Sequence, residues 1–117
     1  MRIFNFHYFL QETHKMKENN TVNIESVKSI LQNNRDEIKK KYKAEIRGVF
    51  GSYSRNEATG KSDIDILVHF ETGATLFGWA GLTKYLENKL GVSVDVVPEK
   101  NVKKEMKSQI SKDLIEL

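Results

Sequence analysis

Cysteine is absent from this chain of 117 residues. That removes disulfides and thiolate metal ligands, and makes an intracellular, cytoplasmic setting the simpler expectation. Proline occurs once, at Pro98, where it is expected to stop a strand. No apolar run approaches the length of a membrane-spanning helix, so no membrane attachment is expected. Residues 3–10 are apolar but short; Asn5 and His7 interrupt them and no small-residue cleavage site follows, which argues against a signal peptide. Internal repeats and low-complexity segments are also missing. So is a large excess of one charge sign: Lys and Arg number 19 against 16 Asp and Glu, a formal net charge of +3. The balance suits a polyanionic ligand without requiring one, and falls short of a dedicated nucleic-acid binder, so direct nucleic-acid binding is not expected. What is present, 38% hydrophobic and 30% charged residues, is the composition and length of one soluble domain.

Residues 1–20 stand apart. Ile3, Phe4, Phe6, Tyr8, Phe9 and Leu10 precede a polar stretch ending at Asn19 and Asn20. They read as a poorly ordered leader, with Met16 a plausible first residue, or else as an apolar tail for a partner or a second copy. Residues 21–117 then read as the folded domain. Ile24, Val27, Leu31, Ile38 and Tyr42 share one helical face over residues 23–42, with Asn23 as cap and Lys39, Lys40 and Lys41 at the C-terminal end. A short strand is expected over residues 45–50, a short helix after Gly51, and a mostly buried strand over residues 63–70. Trp79, Leu82, Leu86 and Leu90 set a core stripe for a helix over residues 76–90 that Gly91 ends. A strand over residues 92–97 and a helix over residues 101–115 complete an α/β or α+β layer fold.

The chemistry concentrates in Gly51-Ser52-Tyr53-Ser54-Arg55-Asn56-Glu57-Ala58-Thr59-Gly60-Lys61-Ser62-Asp63-Ile64-Asp65. In a strand, side chains two apart share a face, so Asp63 and Asp65 project together while Ile64 and Ile66 anchor the other side. Two adjacent carboxylates repel, and a shared proton, a basic neighbour or a cation must offset that. Hard oxygen donors suit Mg²⁺, which binds through a few carboxylates and substrate phosphates. Asp95 is a third acid, alone in the apolar Val94-Asp95-Val96; if its strand neighbours the other, all three converge. Gly51 would let a phosphate approach the backbone, with the Ser52 and Tyr53 amides and the Ser52 hydroxyl as donors at a helix N-terminus. The plainer alternative makes Asp63 a turn or cap residue and Asp95 an ion-pair partner.

Phe50-Gly51-Ser52, then ten residues, Asp63-Ile64-Asp65-Ile66, and later Val94-Asp95-Val96 resemble the signature of the polymerase-beta-like nucleotidyltransferase superfamily. Within it, the short chain resembles the minimal nucleotidyltransferases of the MntA-type antitoxin group, over about residues 22–117. The resemblance implies a small mixed sheet packed with helices. It implies two Mg²⁺ ions and ATP as substrate, with Gly51 and Ser52 holding phosphates, Asp63 and Asp65 binding both ions, and Asp95 binding one and helping to activate an acceptor hydroxyl. It further implies transfer of AMP to a tyrosine of a HEPN-type toxin, silencing that partner. Two departures stand out: Asn56 occupies the place of a usual glycine or small residue, and residues 1–20 are extra. Two other readings share the fold: a module that inhibits a toxin by contact alone, and a nucleotidyltransferase for a small acceptor of aminoglycoside type. The intact acid trio argues against the first and the short chain against the second.

Several other residues have two readings. Arg55 could touch a phosphate or a partner, or pair with Glu57 or another acid to fix its loop. Lys61 reads as an exposed loop lysine, Ser62 as the loop's closing residue, and His69 as a structural or exposed histidine despite sharing strand parity with Asp65. Trp79 reads as core or an interface anchor before an adenine platform, and Tyr53 as packing before a site wall. The C-terminal lysines read as a solvated face.

Overall fold

A computed structural model describes residues 22–117; the leader reading for residues 1–20 lies outside them. The chain runs α1 (Ile24–Asn33), α2 (Arg35–Tyr42), β1 (Ala44–Phe50), β2 (Ile64–Phe70), α3 (Leu76–Leu90), β3 (Val94–Pro98), a single 3₁₀ turn (Glu99–Asn101), α4 (Lys104–Asp113) and β4 (Ile115–Glu116). The strands form one mixed sheet in the order β3-β2-β1-β4. β1 runs antiparallel to β2 and to β4, and β2 runs parallel to β3. A parallel pair needs a crossover, and α3 supplies it.

Strand alternation divides the packing between the two faces of the sheet. Ile64, Ile66 and Val68 of β2 join Val94 and Val96 of β3 in the main core, with Val27, Leu31, Ile38, Leu82 and Leu86 from the helices α1, α2 and α3. The other face carries Asp65 and His69, and its apolar part is a smaller cluster of Phe50, Leu67 and Ile110, flanked by Val97, Val102 and Leu114. One helix, α4, covers that smaller cluster through Ile110.

Local signals explain most boundaries. The Asn23 carboxamide accepts from the Glu25 and Ser26 amides at 2.7 and 3.4 Å, the expected cap. α3 has the expected bounds and ends at Gly91, whose φ of 77° is the left-handed conformation glycine adopts freely. The single helix expected over residues 23–42 is two. Asn34 turns its side chain onto the Ile30 carbonyl at 2.7 Å and accepts from the Tyr85 hydroxyl at 2.9 Å, so it competes with the helical ladder and breaks it. The helix expected over residues 101–115 is shorter. Its start is a 3₁₀ turn, and its end is β4, whose pairing with Gly48 and Val49 needs the absence of a side chain at Gly48, where a Cβ would run into the Ile115 carbonyl. Pro98 is the last residue of β3 rather than the first beyond it.

No helix among the described residues is long and apolar enough to cross a membrane.

Candidate active site

The parallel register of β2 and β3 sets Asp65 beside Asp95, with Ile64 beside Val94 and Ile66 beside Val96. Residues in register on neighbouring strands share a face, so the two carboxylates lie side by side. On the other flank of β2, Phe50 pairs with Asp65, which brings the end of β1 and the following Gly51 against the same carboxylate. Gly51 has φ of 79°, and a Cβ built on it would overlap the Asp65 carboxylate oxygen Oδ2. Glycine is therefore required twice there, for its left-handed backbone and for its missing side chain.

Asp63 precedes β2 rather than opening it, because the strand starts at Ile64, whose amide donates to the Ser93 carbonyl at 2.9 Å. Strand parity with Asp65 thus does not fix its direction, although its charge does reach Asp65. Burial, followed by the charges of Asp95 and Asp63, pushes the Asp65 carboxyl up from its ordinary value near 3.8 to about 6, against a smaller opposing pull from Arg55. Asp95 is exposed and not buried in an apolar strand, so its presence needs no compensation for desolvation. The cost of burial falls on the half-buried Asp65 instead.

The short helix expected after Gly51 is a run of turns. Its bonds are Ser54 N–H to the Gly51 carbonyl at 3.0 Å, Arg55 N–H to the same carbonyl at 3.2 Å, and Glu57 N–H to the Ser52 carbonyl at 2.9 Å. One turn has little macrodipole, so an anion here would be held by local N–H groups. The Ser52 and Tyr53 amides donate to no backbone carbonyl of the described residues. Asn56, the departure from the family pattern, has φ of 62°. It sits where a glycine would be at ease, and asparagine is among the few other residues that tolerate that conformation.

The remaining residues have the following surroundings. Arg55 pairs with Glu57 at 3.0 Å and with Asp113 at 2.6 Å. Ser62 closes the loop by accepting from the Thr59 amide at 2.9 Å. Lys61 is exposed. His69 contacts Glu99 at 3.3 Å, within a surface set of ion pairs. Trp79 donates its indole N–H to the Val96 carbonyl at 3.1 Å and packs near Phe70. Tyr53 is buried in the main core, and that burial raises its hydroxyl's pKa. The residue that sequence reasoning missed is Asp113, which lies 58 positions from Arg55 and had no local motif to mark it.

Among the described residues, no three or more His, Asp or Glu side chains are gathered closely enough to form a metal cage unaided. Mg²⁺ does not require one, because it commonly takes one or two carboxylates and completes its shell with water and substrate phosphates. The pair Asp65 and Asp95 supplies two hard oxygen ligands side by side, and their mutual repulsion is what a divalent cation relieves. The donor set fits.

A mixed sheet carrying acids on adjacent strands beside a Gly-Ser turn defines a nucleotidyl-transferring class of enzyme. The chain belongs to the nucleotidyltransferase domain family, which it matches over residues 27–117. It is 40% identical over 92 residues to a chain of Thermococcus cleftensis named protein adenylyltransferase MntA, a match covering 79% of this chain and 89% of that one. A solved structure described as a candidate minimal nucleotidyltransferase superposes with a TM-score of 0.66 at 34% identity, covering 85% of this chain and all of the other. A toxin–antitoxin structure with AMP-PNP superposes at 0.59 and 23% identity, covering 81% of this chain and 72% of that one, a likeness that speaks to the fold alone. The protein is thus a nucleotidyltransferase of the minimal, MntA-like kind.

Proposed function

We propose that this chain transfers AMP from ATP to a hydroxyl of a partner protein, a tyrosine of a HEPN-type toxin, and silences that partner by the modification. The observation carrying the chemistry is the pairing of Asp65 with Asp95 at the point where Gly51 leaves β1. The name of the Thermococcus relative supports protein as acceptor and AMP as the transferred group. The toxin–antitoxin structure with AMP-PNP shares this chain's fold, and the toxin partner is taken from family resemblance. The tyrosine and the HEPN class rest on family resemblance.

The residues divide the work as follows. The Ser52 hydroxyl and the amides of Ser52 and Tyr53 hold phosphate oxygens of ATP, and Gly51 lets those oxygens come close to the backbone. Asp63, Asp65 and Asp95 would hold Mg²⁺, one or two ions, whose chemistry is to neutralise phosphate charge and polarise the reacting oxygens. Asp95, exposed on β3, faces the acceptor side and helps take the proton of the attacking hydroxyl. The bond formed joins the acceptor oxygen to the α-phosphorus; the bond broken joins that phosphorus to the bridging oxygen of pyrophosphate, which leaves. Positioning and charge complementarity supply most of the acceleration.

The test is incubation with ATP labelled in the α-phosphate, Mg²⁺ and the product of the adjacent gene as the candidate toxin, comparing wild type with Asp63→Asn. Label on a toxin tyrosine, lost in the variant together with silencing, is the expected result. Equal silencing by both proteins with no label on the toxin would refute enzymatic action and leave a contact inhibitor.

A further inference from the structure

Arg55 is a cation placed next to a site that must take up cations. Its amide donates to the Gly51 carbonyl at 3.2 Å, and Gly51 lies against the Asp65 carboxylate, so the Arg55 side chain starts one turn from the site. Its guanidinium is nevertheless turned elsewhere. Nε donates to Glu57 at 3.0 Å and Nη1 donates to Asp113 at 2.6 Å. The two acceptors differ in kind. The Glu57 side chain is 64% exposed, whereas that of Asp113 is 8% exposed. An exposed pair is weakly held and screened by solvent; a nearly buried carboxylate is not.

Asp113 is itself fixed from two sides. Its Oδ1 accepts from the Gln109 carboxamide at 3.1 Å, one helical turn back, so Oδ2 remains for Arg55. The helix that carries both, α4, is seated through Ile110 on Phe50 and Leu67. Phe50 is the residue before Gly51, and Leu67 is the next residue on the face of Asp65. The same helix therefore packs on the residues of β1 and β2 that adjoin Gly51 and Asp65, and grips the side chain that competes for the site.

We infer that Asp113 is a positioning residue that holds the Arg55 guanidinium off the Asp65–Asp95 pair and so keeps those carboxylates open to a divalent cation. Without Asp113, Arg55 keeps only the exposed Glu57 among its described partners, and its side chain is free to turn toward the Asp65 carboxylate that lies against Gly51. A guanidinium forms bidentate pairs with carboxylates readily and carries its charge at any working pH. It would then occupy the ligands the metal needs. The inference rests on the reading that Asp65 and Asp95 bind a metal.

Mn²⁺ serves as the probe, with the free ion followed by its electron paramagnetic resonance signal during titration of the full chain. Four proteins are compared: wild type, Asp113→Asn, Arg55→Gln, and the double variant, each checked for native circular dichroism. Asp113→Asn is expected to bind Mn²⁺ about tenfold more weakly than wild type, since an added positive charge beside the ligands opposes a second cation. The double variant is expected to bind as tightly as Arg55→Gln alone, because the competitor is gone. A purely structural role for Asp113 would not give that rescue. Unchanged affinity in Asp113→Asn, or weakened affinity that Arg55→Gln does not restore, overturns the inference. Failure of wild type to bind Mn²⁺ at all would instead overturn the metal-binding reading and this inference with it.

Discussion

Replacing Asp65 with asparagine is expected to abolish transfer while making the ligand-free protein more stable at neutral pH. The two effects have one origin. Asp65 is half-buried and lies beside Asp95, with Asp63 adding its charge, so its carboxyl is pushed up to about 6. A carboxylate whose folded-state value is raised binds its proton more tightly in the native state than in the unfolded chain. Between the ordinary value near 3.8 and about 6 the native state thus holds more protons, and stability falls as pH rises through that window. Above it the full penalty is present, ~1–2 kcal/mol after allowing for screening at a partly exposed group. Asparagine has no charge to repel, so thermal melts in EDTA at pH 7.5 should show a higher midpoint for Asp65→Asn, and the gap should close as the pH is lowered to 4. The transfer rate should fall by about 10²–10³ or more, the scale of losing one group that stabilises charge in the transition state. A variant less stable than wild type at both pH values would show that the carboxylate is not under repulsion.

Gly51→Ala is the second large effect, and Gly91→Ala is its natural control. Both glycines have left-handed backbones, with φ of 79° and 77°, so alanine pays about 1–2 kcal/mol of conformational strain at either. They differ in surroundings. A Cβ at Gly91 meets nothing within 4 Å, whereas one at Gly51 collides with the Asp65 carboxylate. Gly91→Ala should lower the unfolding free energy by about 1 kcal/mol and leave transfer intact. Gly51→Ala should in addition displace Asp65 from its place beside Asp95 and reduce transfer by about 10²-fold, since misplacement of about 1 Å at reacting groups is enough for that. Equal transfer rates for the two variants would mean that the contact between Gly51 and Asp65 has no part in the chemistry.

The stability and the chemistry of this chain were unequally legible from its residues. The periodicity of Leu82, Leu86 and Leu90 with a glycine behind it located α3 to the residue, because a helix's own pattern and its own cap decide its length. Alternation in β2 was likewise local, and it put Ile64 and Ile66 in the core and Asp65 on the other face. The break at Asn34 was not visible, since an asparagine in a helical run ends it only when its side chain finds other partners, and one of those is Tyr85, which lies 51 positions away. The two-residue strand β4 is too short to carry a pattern, and it exists because Gly48 leaves room for it. Among the site residues, the neighbourhood of Asp65 and Asp95 could be posed only as a condition on strand order, which the parallel register meets. The turn after β1 makes one helical bond, Arg55 N–H to the Gly51 carbonyl, and goes no further as a helix because Asn56 enters the left-handed region. Asp113 could not be found at all from sequence, as its partner is distant and a lone acid at the end of a lysine-rich helix suggests only a solvated surface.

A crystal of the protein grown with Mn²⁺ and an ATP analogue that resists cleavage at the α–β bridge, measured at the manganese absorption edge, reaches the central claim most directly. The expected result is an anomalous peak bonded to carboxylate oxygens of both Asp65 and Asp95, with the analogue's phosphates against the Ser52 amide. A peak that Asp95 does not ligate, or phosphates bound away from the Gly51 turn, would contradict it.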